Sequence, residues 1–351
     1  SGYWVKLSAE AAGGNLPDVV QMDYSYLEQY AKNNQLADLT EYLGSNIDTS
    51  KIADSILESG MIDDKTYAIS LGSTAPALFY DVETIEAAGV TIPDSPTYED
   101  ILSIGQTIYE KTGVPTIFDD ENNGSVMFCR AYGKVVYDEL ETGNVELMTN
   151  FFNWSKTFAD DPCSITNEKR AEKSTTQVEM FPLVDQSAWC AWAYSNQYAP
   201  ISAAAGREIG IATCPAPADA ITENMYLKPT MFFSVAETSQ HKQAAADFIN
   251  WFVNDIECNQ ILKAERGMPI NTDVAEAVKS EVDENTAKAF NYIAQVTKFA
   301  TKVNPPDPSG KGEVDAKTIE LSENVRIGAM TPEQAAEELV AQGQSILSAA
   351  K

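Results

Sequence analysis

Histidine occurs once in this sequence, at His241. Catalysis of the Ser-His or Cys-His kind needs an imidazole with an orienting partner in a pocket. His241 instead stands among Gln240, Lys242 and Gln243 at the start of a helical pattern and reads as a solvated surface residue. Histidine-based metal sites are disfavoured with it, and no metal dependence is expected. Basic residues are also scarce: 24 Lys and Arg stand against 52 Asp and Glu, a net charge of −28. A nucleic acid demands a basic footprint that this balance does not supply, so it is not expected as a partner. The acidic excess reads as a solvated surface. Phosphate loops of the G-x-G-x-x-G and G-x-x-x-x-G-K-[ST] types are missing, and no cofactor is implied. No run approaches the roughly 20 unbroken apolar residues that a membrane-spanning helix needs. The five cysteines, at 129, 163, 190, 214 and 258, include no C-x-x-C pair. That spacing fits neither a zinc cluster nor a dense disulfide framework. Most read as buried free thiols, with one bridge among the four between 129 and 214 left open. A signal peptide is absent as well; the opening SGYWVKLSAEAAGG reads as the middle of an amphipathic helix, as in a mature or engineered amino terminus that has lost its export segment.

What is present is an alternation of short apolar runs and amphipathic helices, the pattern of an α/β architecture. A chain of 351 residues exceeds what one core usually organises, which favours two lobes. Val19, Val20 and Met22 predict a buried strand, followed by a helix burying Leu27, Tyr30 and Ala31 with Ser25 and Glu28 as its capping box. Asp23 and Tyr24 then fall on the turn at the strand's carboxyl end, the edge that faces the ligand crevice in an open α/β sheet. Strands are predicted at 66–72, 76–81, 114–118, 188–194, 208–217 and 231–237. Thr97 and Asp100 open a helix that Gly113 stops, and Thr331, Pro332 and Gln334 open another near the end. The polar DDENNGS (119–125) and the proline-rich 303–312 are loops, and 126–188 is helical by pattern.

Aromatic residues are interleaved with short polar ones at two strand ends: Asp23-Tyr24-Ser25-Tyr26, and the run from Trp189 through Trp192, Tyr194, Ser195 and Asn196 to Tyr198. Sugar rings have apolar C–H faces and hydroxyl edges, so a sugar site needs flat aromatic surfaces beside donors and acceptors. The competing reading makes Trp189 and Trp192 core residues of a strand, and strand alternation puts them on opposite faces.

Several segments together resemble the extracellular solute-binding proteins of carbohydrate ABC importers, the family 1 group that contains the maltose-type binders. They are AAGGNLPDVVQMD (11–23), TYAISLGSTAPALFYD (66–81), AWAYSNQY (191–198), KPTMFFSVAE (228–237), AAADFINWFVND (244–255), ERGMPIN (265–271) and TPEQAAEELVAQGQSIL (331–347). The resemblance implies a two-lobed periplasmic-binding-protein-like fold with hinge strands and a ligand cleft between lobes. It implies a first lobe of 1–115 plus 237–280 and a second of 116–236 plus 281–351, with hinge candidates at Val114–Ile117 and Met231–Val235. Carried over residue by residue, the ligand-binding positions are Asp23, Tyr24, Ser73, Thr74, Trp192, Tyr194, Asn196, Arg266 and Met268, with Asp119 and Asn123 from the loop after the first hinge. Family members usually carry a further strand–helix unit ahead of the point where this chain starts.

The function implied is non-catalytic. The protein would capture a sugar or oligosaccharide by lobe closure and deliver it to ABC permease subunits. It would work as an extracytoplasmic monomer, in the periplasm or held at the cell surface as a lipoprotein. Two other classes remain open from the residues: a binder of another solute, such as a polyamine held over tryptophan or ferric ion held by Tyr194 and Tyr198, and an extracellular glycan-active enzyme.

Overall fold

A computed structural model describes residues 2–121, 123–174, 177–264 and 266–350. Asn122 of the polar loop and Glu265 at the head of the RGMPIN segment lie outside the described residues. The chain divides into two compact units, Ser1–Ala75 with Tyr226–Pro306 and Pro76–Met225 with Asp307–Lys351. Both mix helices with short strands. Among the described residues no helix is long and apolar enough to cross a membrane.

In the first unit the strand Phe232–Val235 lies between Val19–Met22 and Ile69–Ser70, antiparallel to both. Met22 stands opposite Phe232, and Phe232 opposite Ser70. The two outer strands therefore run in the same direction and end on one edge, from which the chain continues into Asp23–Tyr24 and into 71–74. The alternation that predicts the first strand is visible in its burial, with Val20 and Met22 packed on Leu7, Leu27, Tyr30 and Phe232. The following helix, Tyr24–Lys32, is capped by Asp23, whose carboxylate accepts from the Ser25 amide at 2.9 Å. Ser25 thus lies inside the helix, and the expected Ser25–Glu28 box gives way to a cap two residues earlier. The expected strand over 66–72 is broken: Tyr67 and Ala68 both turn their amides to the Gly60 carbonyl, leaving only Lys65–Thr66 and Ile69–Ser70 to pair.

In the second unit Pro76–Asp81 is the central strand, flanked antiparallel by Cys190–Tyr194 and Ile209–Ala212. This pairing draws 76–115 into the second unit, and the strand Phe232–Val235 draws 226–236 into the first. The division thus departs from boundaries at 115 and 236, and residues 281–306 belong with the first unit. Val114–Ile117 and Met231–Val235 are interior to their units; the chain crosses at 75–76, 225–226 and 306–307. The expected strand 114–118 reduces to a single bridge, Thr116 to Ser164. Pro115 has no amide to give a ladder, and its carbonyl is taken instead by the Trp189 amide. Helix Tyr98–Thr112 carries the expected Thr97–Asp100 box and ends at Gly113 with φ 75°. Helix Pro332–Ala349 carries the expected Thr331–Gln334 box. All five cysteines are free and buried.

Candidate functional site

The second unit contains a pocket of about 210 Å³. The strand Cys190–Tyr194 brings Trp192 and Tyr194 to it, and the stretch after Ile117 brings Phe118, Asp119 and Asn123. Tyr98 reaches it from the first turn of its helix, and Lys311 and Asp315 from the helix Lys311–Arg326. Burial and bonding separate the two tryptophans. Trp189 has no exposed surface and donates its indole N–H to Thr116 Oγ1 at 2.8 Å, a core role. Trp192, 9% exposed, lines the pocket.

The wall behind Trp192 is made of rings. Phe118 meets Trp192 edge to face at 5.9 Å, stacks on Phe158 at 4.3 Å, and receives the edge of Tyr98 at 5.0 Å. Packed rings of this kind have few alternative rotamers, so the apolar surface that they offer is held in place.

A charge cluster holds the adjoining main chain. Asp120, 1% exposed, takes Arg170 Nη2 at 2.6 Å and Arg326 Nη1 at 2.7 Å, and Ser155 donates to it as well. Glu121 takes the same two guanidinium groups at 3.2 and 2.9 Å, and Arg170 also donates to the Phe118 carbonyl at 2.8 Å. At Gly124 the chain turns into a helix so tightly that a Cβ would stand 2.1 Å from the Asp119 carbonyl oxygen. Side-chain placement on this stretch therefore follows from fixed backbone.

The two adjacent aspartates end up opposite in character. Burial pushes Asp120 up, but Arg170, Arg326 and Ser155 outweigh it and hold the carboxyl below its usual range. Asp119 is pushed up to about 8 by burial, because Arg170 and the Glu121 amide compensate only in part. Near neutral pH the Asp119 carboxyl in the pocket wall is thus largely protonated and can donate a hydrogen bond as well as accept one. Burial likewise raises Tyr98, keeping it a phenol.

The structure brings four sequence candidates together in this pocket: Asp119, Asn123, Trp192 and Tyr194. Asn196 is exposed and is not one of the lining residues, whereas its neighbour Gln197 is. The other six belong to the first unit. Asp23 is engaged as a helix cap, and Tyr24 stacks on Phe232 at 6.1 Å while its hydroxyl donates to the Asn304 carbonyl at 2.8 Å. Ser73 and Met268 exchange backbone bonds of 2.9 and 3.1 Å, and both line a small apolar cavity of about 70 Å³. Thr74 is buried and opposite Lys228; Arg266 has an exposed side chain, and its carbonyl accepts from Thr230 at 2.6 Å.

Sequence reasoning missed Tyr98, Phe118, Gln197, Lys311 and Asp315. Tyr98 had a usable signal, since it follows a recognised cap by one residue. The Lys311–Asp315 ion pair had none, because its helix begins inside a segment whose prolines predict only loop.

A family model for bacterial extracellular solute-binding proteins matches residues 1–289. Among solved structures, an extracellular solute-binding protein of family 1 from Alicyclobacillus acidocaldarius superimposes with a TM-score of 0.90 at 25% identity, over 98% of this chain and 87% of that one. A designed cysteine esterase has the same fold at 19% identity, with a TM-score of 0.81 over 100% of this chain and 89% of that one. So does a periplasmic oligogalacturonide-binding protein from Yersinia enterocolitica, at 20% identity and a TM-score of 0.77 over 99% and 89%. The α/β solute-binding fold expected from the sequence is therefore present, and the chain belongs to the bacterial extracellular solute-binding proteins.

Proposed function

We propose that this protein is the substrate-binding subunit of an ABC importer, taking up a sugar or oligosaccharide outside the cytoplasm and handing it to membrane permease subunits. The observation that carries this reading is Trp192 on a wall of packed rings, beside Asp119, Asn123, Gln197 and Tyr194. An aromatic face flanked by groups that both donate and accept suits a ring with C–H faces and hydroxyl edges. The oligogalacturonide bound by a protein of the same fold is in keeping with it. Asp23, Tyr24, Ser73, Thr74, Arg266 and Met268 remain proposed contacts from the first unit. Work as a monomer, closure on the ligand, and a place in the periplasm or at the cell surface on a lipid anchor belong to the same reading.

The rival ligands fare worse in this pocket. A polyamine needs carboxylates, and Asp315 in this pocket is already paired with Lys311. Ferric ion would need Tyr198 beside Tyr194, and Tyr198 is buried with its hydroxyl donating to the Ile209 carbonyl. For an enzyme, the pocket offers the Cys214 thiol, which burial raises well above its ordinary value, and no imidazole to activate it. A thermal-shift panel of neutral sugars, polyamines and ferric citrate tests the reading, since a ligand that binds only the folded state raises the melting temperature. Stabilisation by a sugar is the expected result, and stabilisation by spermidine or ferric citrate alone overturns it.

A further inference from the structure

The main chain of the second unit leaves residue 124 no choice of side chain. A Cβ there would meet the Asp119 carbonyl oxygen at 2.1 Å, so the turn into the helix Gly124–Ala131 demands glycine. The residue before it is Asn123, which lines the pocket. Asn123 stands at the cap position of that helix, yet its side chain makes no cap bond. Asn123–Gly124 is also the one Asn-Gly step in the sequence; every other asparagine precedes a residue whose Cβ shields the following backbone nitrogen.

An asparagine before a glycine carries its own reaction. When the Gly124 N–H loses its proton to hydroxide, the nitrogen attacks Asn123 Cγ. The N–Cγ bond forms, the Cγ–Nδ2 bond breaks, and ammonia leaves with a proton taken from water. Water then adds to one of the two carbonyl carbons of the five-membered imide and opens it, leaving aspartate or isoaspartate. One water is consumed, one ammonia is released, and no oxidant or reductant takes part.

The closed helix start opposes every part of this. Gly124 donates its N–H to the Glu121 carbonyl at 2.7 Å. Asn123 has φ −92° and ψ −2°, which turns the Gly124 nitrogen away from the asparagine Cβ. The ring closes only with that nitrogen and Cβ on the same side of the Cα–C bond, so ψ must rotate. Rotation swings the Asn123 carbonyl off the Met127 amide, which donates to it at 2.8 Å. Glu121 is itself tethered by Arg170 and Arg326.

We propose that Asn123 is a site of spontaneous deamidation in the pocket wall, gated by the hydrogen bond from Gly124 to Glu121. The amide survives while the helix start is closed and converts when it opens locally. Conversion adds a carboxylate beside Asp119. Its isoaspartate form also lengthens the main chain by one carbon, immediately before a position with no room for one.

The test needs no ligand. The whole chain is held at mildly alkaline pH, folded in buffer and unfolded in urea, and its proteolytic fragments are followed by mass spectrometry and by an isoaspartyl methyltransferase. In urea, Asn123 is expected to convert before any other asparagine; in the folded chain its rate is expected to fall by about tenfold or more. Asn123→Gln, whose longer side chain does not close the five-membered ring, is expected to remove the mass gain from the fragment that also holds Asn122. Equal rates in the folded and unfolded chain overturn the gate. Another asparagine converting first in urea, or a mass gain that persists in Asn123→Gln, overturns the site.

Discussion

In the second unit the candidate contacts are side chains held by other side chains: Trp192 rests on Phe118, Phe118 on Phe158, and the backbone at Asp119 is fixed by two arginines that grip its neighbours. In the first unit they are held chiefly by main chain. Ser73 and Met268 are positioned through each other's amides and carbonyls, and Asp23 through the helix that it caps. The two kinds of support fail differently. Cutting a side chain in the second unit removes wall and wall-holder together, whereas in the first unit the backbone keeps its course when a side chain is shortened.

Trp189→Ala should show the largest effect, about 3–5 kcal/mol of folding free energy, with ligand affinity retained in the folded fraction. Urea unfolding alongside titration checks both halves, and a loss of affinity without loss of stability would merge the roles of the two tryptophans. Arg326→Ala should cost about 3 kcal/mol near neutral pH by leaving Asp120 buried with one guanidinium instead of two. The sign of its pH dependence follows from the depressed Asp120 value. Asp120 stabilises the fold above the ordinary value of 3.8, and this contribution is lost as pH falls through the lower folded value. The gap between Arg326→Ala and the parent should therefore narrow in acid; an equal gap at pH 7 and pH 3 would assign the loss to packing.

Trp192→Ala should weaken ligand binding by about 2 kcal/mol, near thirtyfold. Because the ring is nine-tenths covered it should also cost stability, though less than Trp189→Ala. Asp23→Ala should cost about 1 kcal/mol of stability through the lost cap, with Ser25→Ala well below that. The reverse order would restore Ser25 as the cap. Asp119→Asn should act on the slope of the pH profile. The raised Asp119 value means that its stability contribution is full below the ordinary 3.8 and is lost as pH rises towards about 8. The asparagine variant should flatten that decline, together with the fall in ligand affinity expected of the parent as Asp119 ionises. Parallel pH profiles for parent and variant would remove Asp119 from the site.

Legibility in the sequence followed the reach of the interaction. The Thr97–Asp100 and Thr331–Gln334 boxes span three residues, and both were readable. The strand Pro76–Asp81 was readable from its own apolar run. At DYSYLE the three-residue spacing pointed to a Ser25–Glu28 box, whereas the strand ends at Met22 and the helix is capped by Asp23. The contrast between Asp119 and Asp120 was beyond reach, because the guanidinium groups that produce it come from 50 and 206 residues away. The same holds for Lys311 and Asp315. Trp192 was singled out from its neighbours, but the ring that supports it, Phe118, lies in a segment whose apolar pattern predicts a strand that does not form.

The five thiols carry a consequence for anyone who wishes to watch this protein work. Burial raises all of them, so at neutral pH almost none is in the nucleophilic thiolate form. Maleimide dyes, which need that form and access to it, will find little to react with in the folded chain. One cysteine engineered at the exposed Asn196, next to the pocket-lining Gln197, would be the single fast-labelling position, and a fluorophore there would turn the native scaffold into a reporter of its own ligand without removing any of its five cysteines.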